Sequence, residues 1–183
     1  MMGGAMSAND ELAWIPPMLA LVKASVEAGV PVIGHCLGGQ LLAKALGGRV
    51  MRNAVKEIGW GEIEVLDTPV TSEWTPLEPF VTFQWHEDTF SIPEGAHRIW
   101  ASAHCGNQAF VTGSHIGMQC HVEITAEMIE SWCESGAEEI EQNVSRSPAV
   151  QRPAQMRENL DERLAALRRV ADYVYDRWIK ALT

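Results

Sequence analysis

The feature that most constrains the fold is a short apolar run that ends beside a glycine-flanked cysteine. Residues 30–34 (Val-Pro-Val-Ile-Gly) are continuously apolar, and residues 37–46 return to helical spacing. An uninterrupted apolar run of this length is typical of a parallel strand buried on both faces. A helix is predicted just before it, over residues 15–28, with prolines at its start and Gly29 at its end. Helix, buried strand, tight turn and helix are the order of a doubly wound α/β fold.

The rest of the chain is predicted to add further strands and then helices. Strand patterns occur at residues 62–66, 80–85, 98–103, 109–112 and 117–122. Helical spacing returns over residues 125–133, with Thr125 as the N-cap. Residues 142–153 are polar, contain two prolines and are predicted to form a loop. An apolar stripe then predicts a C-terminal amphipathic helix within residues 154–183, packed on a domain formed by residues 1–141.

Charge and composition argue against several classes of protein. The chain has 14 Lys and Arg against 24 Asp and Glu, a net charge of −10, whereas a nucleic-acid backbone attracts a basic surface. No apolar run is long enough to span a bilayer, and the first residues lack the basic and apolar parts of a signal peptide. The four cysteines include no CxxC pair, which favours reduced thiols. We therefore expect a cytoplasmic protein without nucleic-acid or membrane partners.

Cys36 lies where the buried strand is predicted to turn into the next helix, with Gly34 two residues before it and Gly38 two residues after it. This spacing is that of a nucleophile elbow with cysteine in the place of serine. Glycines permit the close backbone packing of such a turn, and the helix N-terminus favours a thiolate. The N–H of Leu37 would face the oxyanion formed on a carbonyl that Cys36 attacks. The alternative is a buried structural cysteine in a glycine-rich turn.

A cysteine nucleophile needs a base and a group that orients the base. His121 and Glu123 are two residues apart on a predicted strand, so they would share a face and could hydrogen-bond. Taken alone, the same pattern also fits a surface His/Glu pair at a strand end. His35 is expected to face away from Cys36 and to be structural.

Two weaker signals complete the candidate site. Gly3 and Gly4 precede the first helix and could offer a second N–H to an oxyanion. Trp85 and His86 follow a predicted strand and could line a substrate pocket, although a buried tryptophan beside a charged turn explains them equally well.

These motifs, in this order, resemble the class I (triad-type) glutamine amidotransferases over residues 3–132. Within that family the chain looks most like the stand-alone members that resemble the amidotransferase domain of GMP synthetase. The resemblance implies a flavodoxin-like α/β fold and a triad with Cys36 as nucleophile, His121 as base and Glu123 as orienting acid. It also implies oxyanion donors at Leu37 and at Gly3 or Gly4, and substrate contacts from Gln40, Trp85 and His86.

The sequence departs from the family pattern in two places. The usual Phe-His-Pro-Glu is Cys-His-Val-Glu at residues 120–123. The family also has two βα units and another strand before the glycine-rich loop, which here begins at Gly3. At roughly 30 residues per βαβ unit, about 50 residues of the pattern are expected to be missing. The first strands would then be absent, and a homo-oligomer could cover the exposed edge.

Three functions are compatible with these residues. A glutamine amidotransferase would release ammonia to a separate synthase subunit, since the sequence contains no P-loop and no GxGxxG motif. A γ-glutamyl peptide or conjugate hydrolase would use the same triad, and a non-catalytic binding module could keep the same fold. An α/β-hydrolase with a cysteine nucleophile fits less well, because its acid precedes its histidine. No cofactor is predicted, and a metal site at Cys36, His86 and His121 is disfavoured by the ligand spacing.

Overall fold

Six strands form one sheet in the computed structural model, which describes residues 1–182. They are β1 (Ile33–His35), β2 (Val50–Val65), β3 (Phe80–Phe90), β4 (His97–Ala101), β5 (Ala109–Thr112) and β6 (His115–Met118). Their order across the sheet is β1-β6-β5-β4-β2-β3. The buried parallel strand expected near residue 33 is confirmed, because β1 pairs in parallel with β6. All other neighbouring strands are antiparallel.

Seven helices accompany the sheet within residues 1–182. They are α1 (Ile15–Glu27), α2 (Leu37–Ala45), α3 (Thr71–Trp74), α4 (Ala126–Ser135), α5 (Ala137–Asn143), α6 (Pro153–Arg157) and α7 (Leu160–Lys180). The helices predicted from the periodicity before and after β1 are confirmed to within a residue at either end. Thr125 caps α4 as predicted, since its side chain accepts a hydrogen bond from the N–H of Met128. The region after residue 153 holds two helices rather than one, because Asn159 has left-handed backbone (φ 52°) between them.

The strand predicted over residues 117–122 is wrong in its extent. β6 ends at Met118, and the chain then leaves the sheet in a turn. The N–H of His121 donates to the carbonyl of Phe83, 2.9 Å away, instead of continuing the ladder between β5 and β6. His121 and Glu123 therefore meet on a turn rather than on one face of a strand.

Two apolar clusters fix the helices to the sheet. One cluster joins the sheet to α4–α7, and the fully buried Phe83, Ile116 and Val174 belong to it. The other joins α1 and α2 to the sheet around Leu42 and Phe110. Packing of this kind holds α7 by its apolar stripe and brings one side of that helix close to the turn after β6. No helix within residues 1–182 combines the length and apolarity needed to cross a membrane.

Candidate active site

Cys36 occupies a strained turn between β1 and α2. Its backbone has φ 48° and ψ −109°, a region that residues with a side chain rarely adopt. A Cβ atom at Gly34 would lie 2.4 Å from the backbone of Gly38, so the turn closes only when residue 34 has no side chain. Cys36 is the N-cap of α2 and is 7% exposed. The structure thus places a cysteine at the positive end of a helix dipole, in the geometry of a nucleophile elbow.

His121 and Glu123 are hydrogen-bonded to each other beside this turn. Nδ1 of His121 lies 2.7 Å from Oε1 of Glu123, and His121 is 2% exposed. Burial by itself lowers the pKa of His121, but hydrogen bonds with Cys36 and Glu123 outweigh it and raise the pKa to about 10. Burial alone would raise the pKa of Glu123, but its histidine partners hold that pKa well below the usual range. The arrangement therefore favours an ionised carboxylate beside a protonated imidazole.

The glycine-rich N-terminal segment lies against both Cys36 and His121. A Cβ atom at Gly3 would stand 3.0 Å from Cε1 of His121 and 3.4 Å from Cβ of Cys36. A Cβ atom at Gly4 would stand 2.9 Å from the side chain of Leu37. The three residues predicted to supply oxyanion donors are thus brought around Cys36, and their donor role stays a prediction.

Gln40, predicted to contact substrate, is buried beneath the elbow as part of an amide chain. Its Nε2 donates to Oε1 of Gln119 at 3.3 Å, and its Oε1 accepts from the N–H of Ala8 at 3.4 Å. Gln119 in turn donates through Nε2 to Sγ of Cys36 at 3.5 Å. Sequence reasoning missed Gln119, whose only signal was a polar residue between a buried strand and the candidate base.

Trp85 and His86 point to different places. The carbonyl of Trp85 lies 3.9 Å from Sγ of Cys36, and its ring packs edge-on against Trp132. Trp132 also packs against the ring of His121, with centroids 4.8 Å apart. The side chain of His86 turns toward Glu57 instead, because successive residues of β3 face opposite sides of the sheet. Trp85 thus lies at the candidate site, whereas the side chain of His86 supports the strand from behind.

One buried group within residues 1–182 has the composition of a metal site. One ligand atom each from Glu57, His86 and Cys105 lie within 4.8 Å of one another. Oε2 of Glu57 is 3.2 Å from Nε2 of His86 and also accepts from Nε2 of Gln108 at 3.1 Å. Glutamate, histidine and cysteine all bind zinc, but here the carboxylate already has protein partners.

A family model described as glutamine amidotransferase class-I matches residues 1–131. The chain belongs to the class-I glutamine amidotransferase family. The resemblance and the fold expected from the sequence motifs are therefore confirmed, including the α/β core and the C-terminal helix α7.

Solved and curated relatives agree with this assignment. A glutamine amidotransferase crystal structure from Methylobacillus flagellatus has 47% identity and a TM-score of 0.95, covering 99% of this chain and 75% of that chain. The amidotransferase-like protein YfeJ of Salmonella typhimurium is 31% identical over 66% of this chain. A subunit of the glutamine-hydrolyzing GMP synthase of Methanoculleus marisnigri is 30% identical over 57% of this chain. The matches span 52% and 58% of those two proteins, less than two thirds of either.

Proposed function

We propose that this amidotransferase-family chain hydrolyses the side-chain amide of glutamine, with Cys36 as nucleophile, His121 as base and Glu123 as orienting acid. One observation carries the proposal. A strained cysteine at the start of α2 contacts a buried imidazole, and that imidazole is hydrogen-bonded to a carboxylate. Nucleophile, base and orienting group in this sequence of contacts define a covalent catalytic centre.

In the first half-reaction Sγ of Cys36 attacks the amide carbon of glutamine. His121 receives the thiol proton and donates it to the leaving nitrogen, so ammonia departs and a γ-glutamyl thioester remains. The tetrahedral intermediate carries its negative charge on the former amide oxygen. The backbone N–H of Leu37, together with that of Gly3 or Gly4, is the proposed donor pair for this oxygen.

In the second half-reaction water hydrolyses the thioester to glutamate. His121 accepts a proton from the water and returns it to the departing sulfur of Cys36. The raised pKa of His121 suits the protonation steps, because the imidazole holds its proton at neutral pH. Glu123 remains ionised throughout and fixes the proton of His121 on Nδ1, which leaves Nε2 for the transfers.

Substrate contacts are proposed around the same centre. The carbonyl of Trp85 near Cys36 can accept a hydrogen bond from the substrate, while Gln40 and Gln119 shape the polar floor of the site. His86 contributes indirectly, since its bond to the carbonyl of Asp88 and its contact with Glu57 hold the end of β3 in place. These contacts would orient glutamine rather than take part in proton transfer.

A separate acceptor is proposed for the ammonia. One of the relatives is part of a glutamine-hydrolyzing GMP synthase that is built from more than one kind of chain. Residues 1–183 carry neither a P-loop nor a GxGxxG motif. We therefore expect a synthase subunit or domain to receive the ammonia that Cys36 chemistry releases.

The test is to measure both products from glutamine and from a γ-glutamyl amine conjugate. We expect glutamine to give equimolar glutamate and ammonia, with a higher kcat/KM than the conjugate gives glutamate and free amine. Cys36→Ala should abolish release, and Cys105→Ala, which changes another buried cysteine, should not. A preference for the conjugate would assign the centre to γ-glutamyl hydrolysis. Absence of either product from folded protein, or release that persists in Cys36→Ala, would contradict the proposal.

A further inference from the structure

The triad acid has a second histidine neighbour, His35, which directly precedes the nucleophile. Oε1 of Glu123 bonds Nδ1 of His121, and Oε2 lies 2.9 Å from Nδ1 of His35 as an ion-pair contact. Neither Oε2 of Glu123 nor Nδ1 of His35 hydrogen-bonds to another group within residues 1–182. The side chains of His35 and Glu123 are 2% and 10% exposed. The expectation that His35 is merely structural is therefore wrong about its surroundings: its ring faces the carboxylate of the proposed triad.

Helix α7 closes the other side of His35. The hydroxyl of Tyr175 lies 3.2 Å from Nε2 of His35, and the two rings are 5.9 Å apart. Tyr175 is held there by its neighbour Val174, which is fully buried in the core. Burial raises the pKa of Tyr175, as do the charges of nearby acidic groups, so its hydroxyl keeps its proton.

A neutral imidazole donates from one ring nitrogen and accepts at the other. A Tyr175 hydroxyl that donates to Nε2 of His35 therefore keeps the ring proton on Nδ1, the atom that faces Glu123. Since a carboxylate can only accept, this tautomer is the one that stabilises ionised Glu123. A protonated His35 would present the same N–H to the same oxygen.

We infer that His35 and Tyr175 are positioning residues of the catalytic centre, holding Glu123 turned toward His121 through a chain of contacts that begins on α7. The inference rests on the proposed function, in which Glu123 orients the base. It brings into the active site a helix that lies beyond residues 1–131, the part matched by the family model.

Other titratable groups surround this chain of contacts and must stay unchanged in any test. The Met1 amino group and Cys120 interact electrostatically with Glu123, and Cys36 interacts with His121. A cleft of about 440 Å³ separates the segment 122–127 from α7, and its charged lining residues besides Glu123 are Glu127, Arg168 and Asp172. Variants confined to His35 and Tyr175 leave all of these in place.

Two substitutions at His35 separate its two nitrogens. His35→Asn keeps an amide N–H close to the position of Nδ1, whereas His35→Gln keeps one close to Nε2 and loses the contact with Glu123. Tyr175→Phe removes only the hydroxyl. Tyr173→Phe is the matched control, because its hydroxyl bonds the carbonyl of Ser72 on the same helix but away from the site.

We would measure kcat, KM and the pH profile for glutamine hydrolysis, and the rate at which iodoacetamide alkylates Cys36. His35→Gln should lower kcat by roughly ten- to a hundredfold, the range for losing a bond to a charged group, with little change in KM. Its acid limb should move to higher pH, since Glu123 loses a contact that favours its ionised form. Tyr175→Phe should shift kcat and pH limb the same way but less, and His35→Asn should recover most of the rate.

Equal losses in His35→Asn and His35→Gln, or Tyr175→Phe matching Tyr173→Phe, would overturn the inference. Thermal melting identifies any variant that fails to fold, and the two tyrosine variants then decide. Alkylation separates the two proposals because it needs no substrate. If wild-type protein hydrolyses no glutamine yet alkylation follows the expected order, the proposed function fails and the positioning role stands. If hydrolysis is intact and all variants match wild type, only the positioning role fails.

Discussion

The chain contains two buried trios of the same residue types. The first trio is Cys36, His121 and Glu123, and the second trio is Cys105, His86 and Glu57. Each trio pairs a histidine with a glutamate at close range, 2.7 Å in the first and 3.2 Å in the second. Only the first has the geometry of a catalytic centre, so the difference between them shows what turns these side chains into one.

Backbone geometry distinguishes the two cysteines. Cys36 has a positive φ at the start of α2 and contacts His121, whose pKa is raised. Cys105 is 1% exposed, and burial raises the pKa of its thiol while Thr89 lies 3.3 Å away. A helix N-terminus and a cationic neighbour favour a reactive thiolate, whereas an apolar surrounding keeps a thiol protonated. The first trio is therefore suited to chemistry and the second to holding β2, β3 and the loop before β5 together.

The largest expected contrast is between the two cysteines. Cys36→Ala should lower glutamate release by at least about a thousandfold, because no other group can form the acyl intermediate. Cys105→Ala should leave the rate within about threefold while costing some stability through a small cavity. Steady-state assays of both variants check this. Comparable activity in the two variants would erase the distinction between the trios.

The two glutamates should separate rate from stability. Glu123→Gln should cut kcat by about a hundredfold or more, because an amide cannot hold His121 in the required protonation state. Glu57→Gln should lower the free energy of unfolding by about 3 kcal/mol, since it leaves His86 buried without its charged partner, and should change kcat far less. Urea unfolding and kinetics on the same samples test the pair. The account is wrong if Glu57→Gln loses more activity than Glu123→Gln.

The pH dependence of stability should report on the first trio. The pKa of His121 rises from 6.5 to about 10 on folding, so its stabilisation is complete below about pH 6.5 and is lost as pH rises toward 10. The lowered pKa of Glu123 adds stability above about pH 4.5 that disappears in more acidic solution. The stability lost in His121→Gln should therefore be greatest near pH 5.5 and shrink at pH 9.5. A loss that grows with pH would reverse the assigned sign.

The smallest expected effect concerns the start of α4, two residues after the triad acid. Thr125→Ala removes the N-cap bond to the N–H of Met128 and should cost about 1 kcal/mol of folding free energy. Thr125→Ser should restore most of it, since its hydroxyl can accept the same bond. Neither variant should change kcat by more than about twofold. A large rate loss in Thr125→Ala alone would mean that α4 sets the position of Glu123.

Local patterns predicted the parts of the site that are close in sequence. The glycine spacing around Cys36 indicated the elbow, and the two-residue spacing of His121 and Glu123 indicated their hydrogen bond. The reason given for that bond was wrong, because a turn and not a strand brings the two together. A bond between near neighbours forms in either geometry, so the correct pairing did not depend on the correct element.

Contacts between distant residues left no such signal. Gln119 reaches Cys36 across 83 positions, and Tyr175 reaches His35 across 140. The expectation for the C-terminal helix foresaw its buried stripe, since hydrophobic periodicity marks the face that packs. Periodicity says nothing about which polar residue at the border of that stripe meets the active site. Only the packing of α7 against the turn after β6 determines that Tyr175 does.

The central claim is that Cys36 is a nucleophile presented to glutamine, and a glutamine-mimicking diazoketone tests it most directly. Folded protein would be treated with the reagent, with and without excess glutamine, and the adduct located by peptide mass. Cys36→Ala and Cys105→Ala serve as the paired controls. The account predicts a single adduct on Cys36 that glutamine suppresses and that Cys105→Ala retains. No adduct on folded protein, or labelling of Cys105 in place of Cys36, would contradict it.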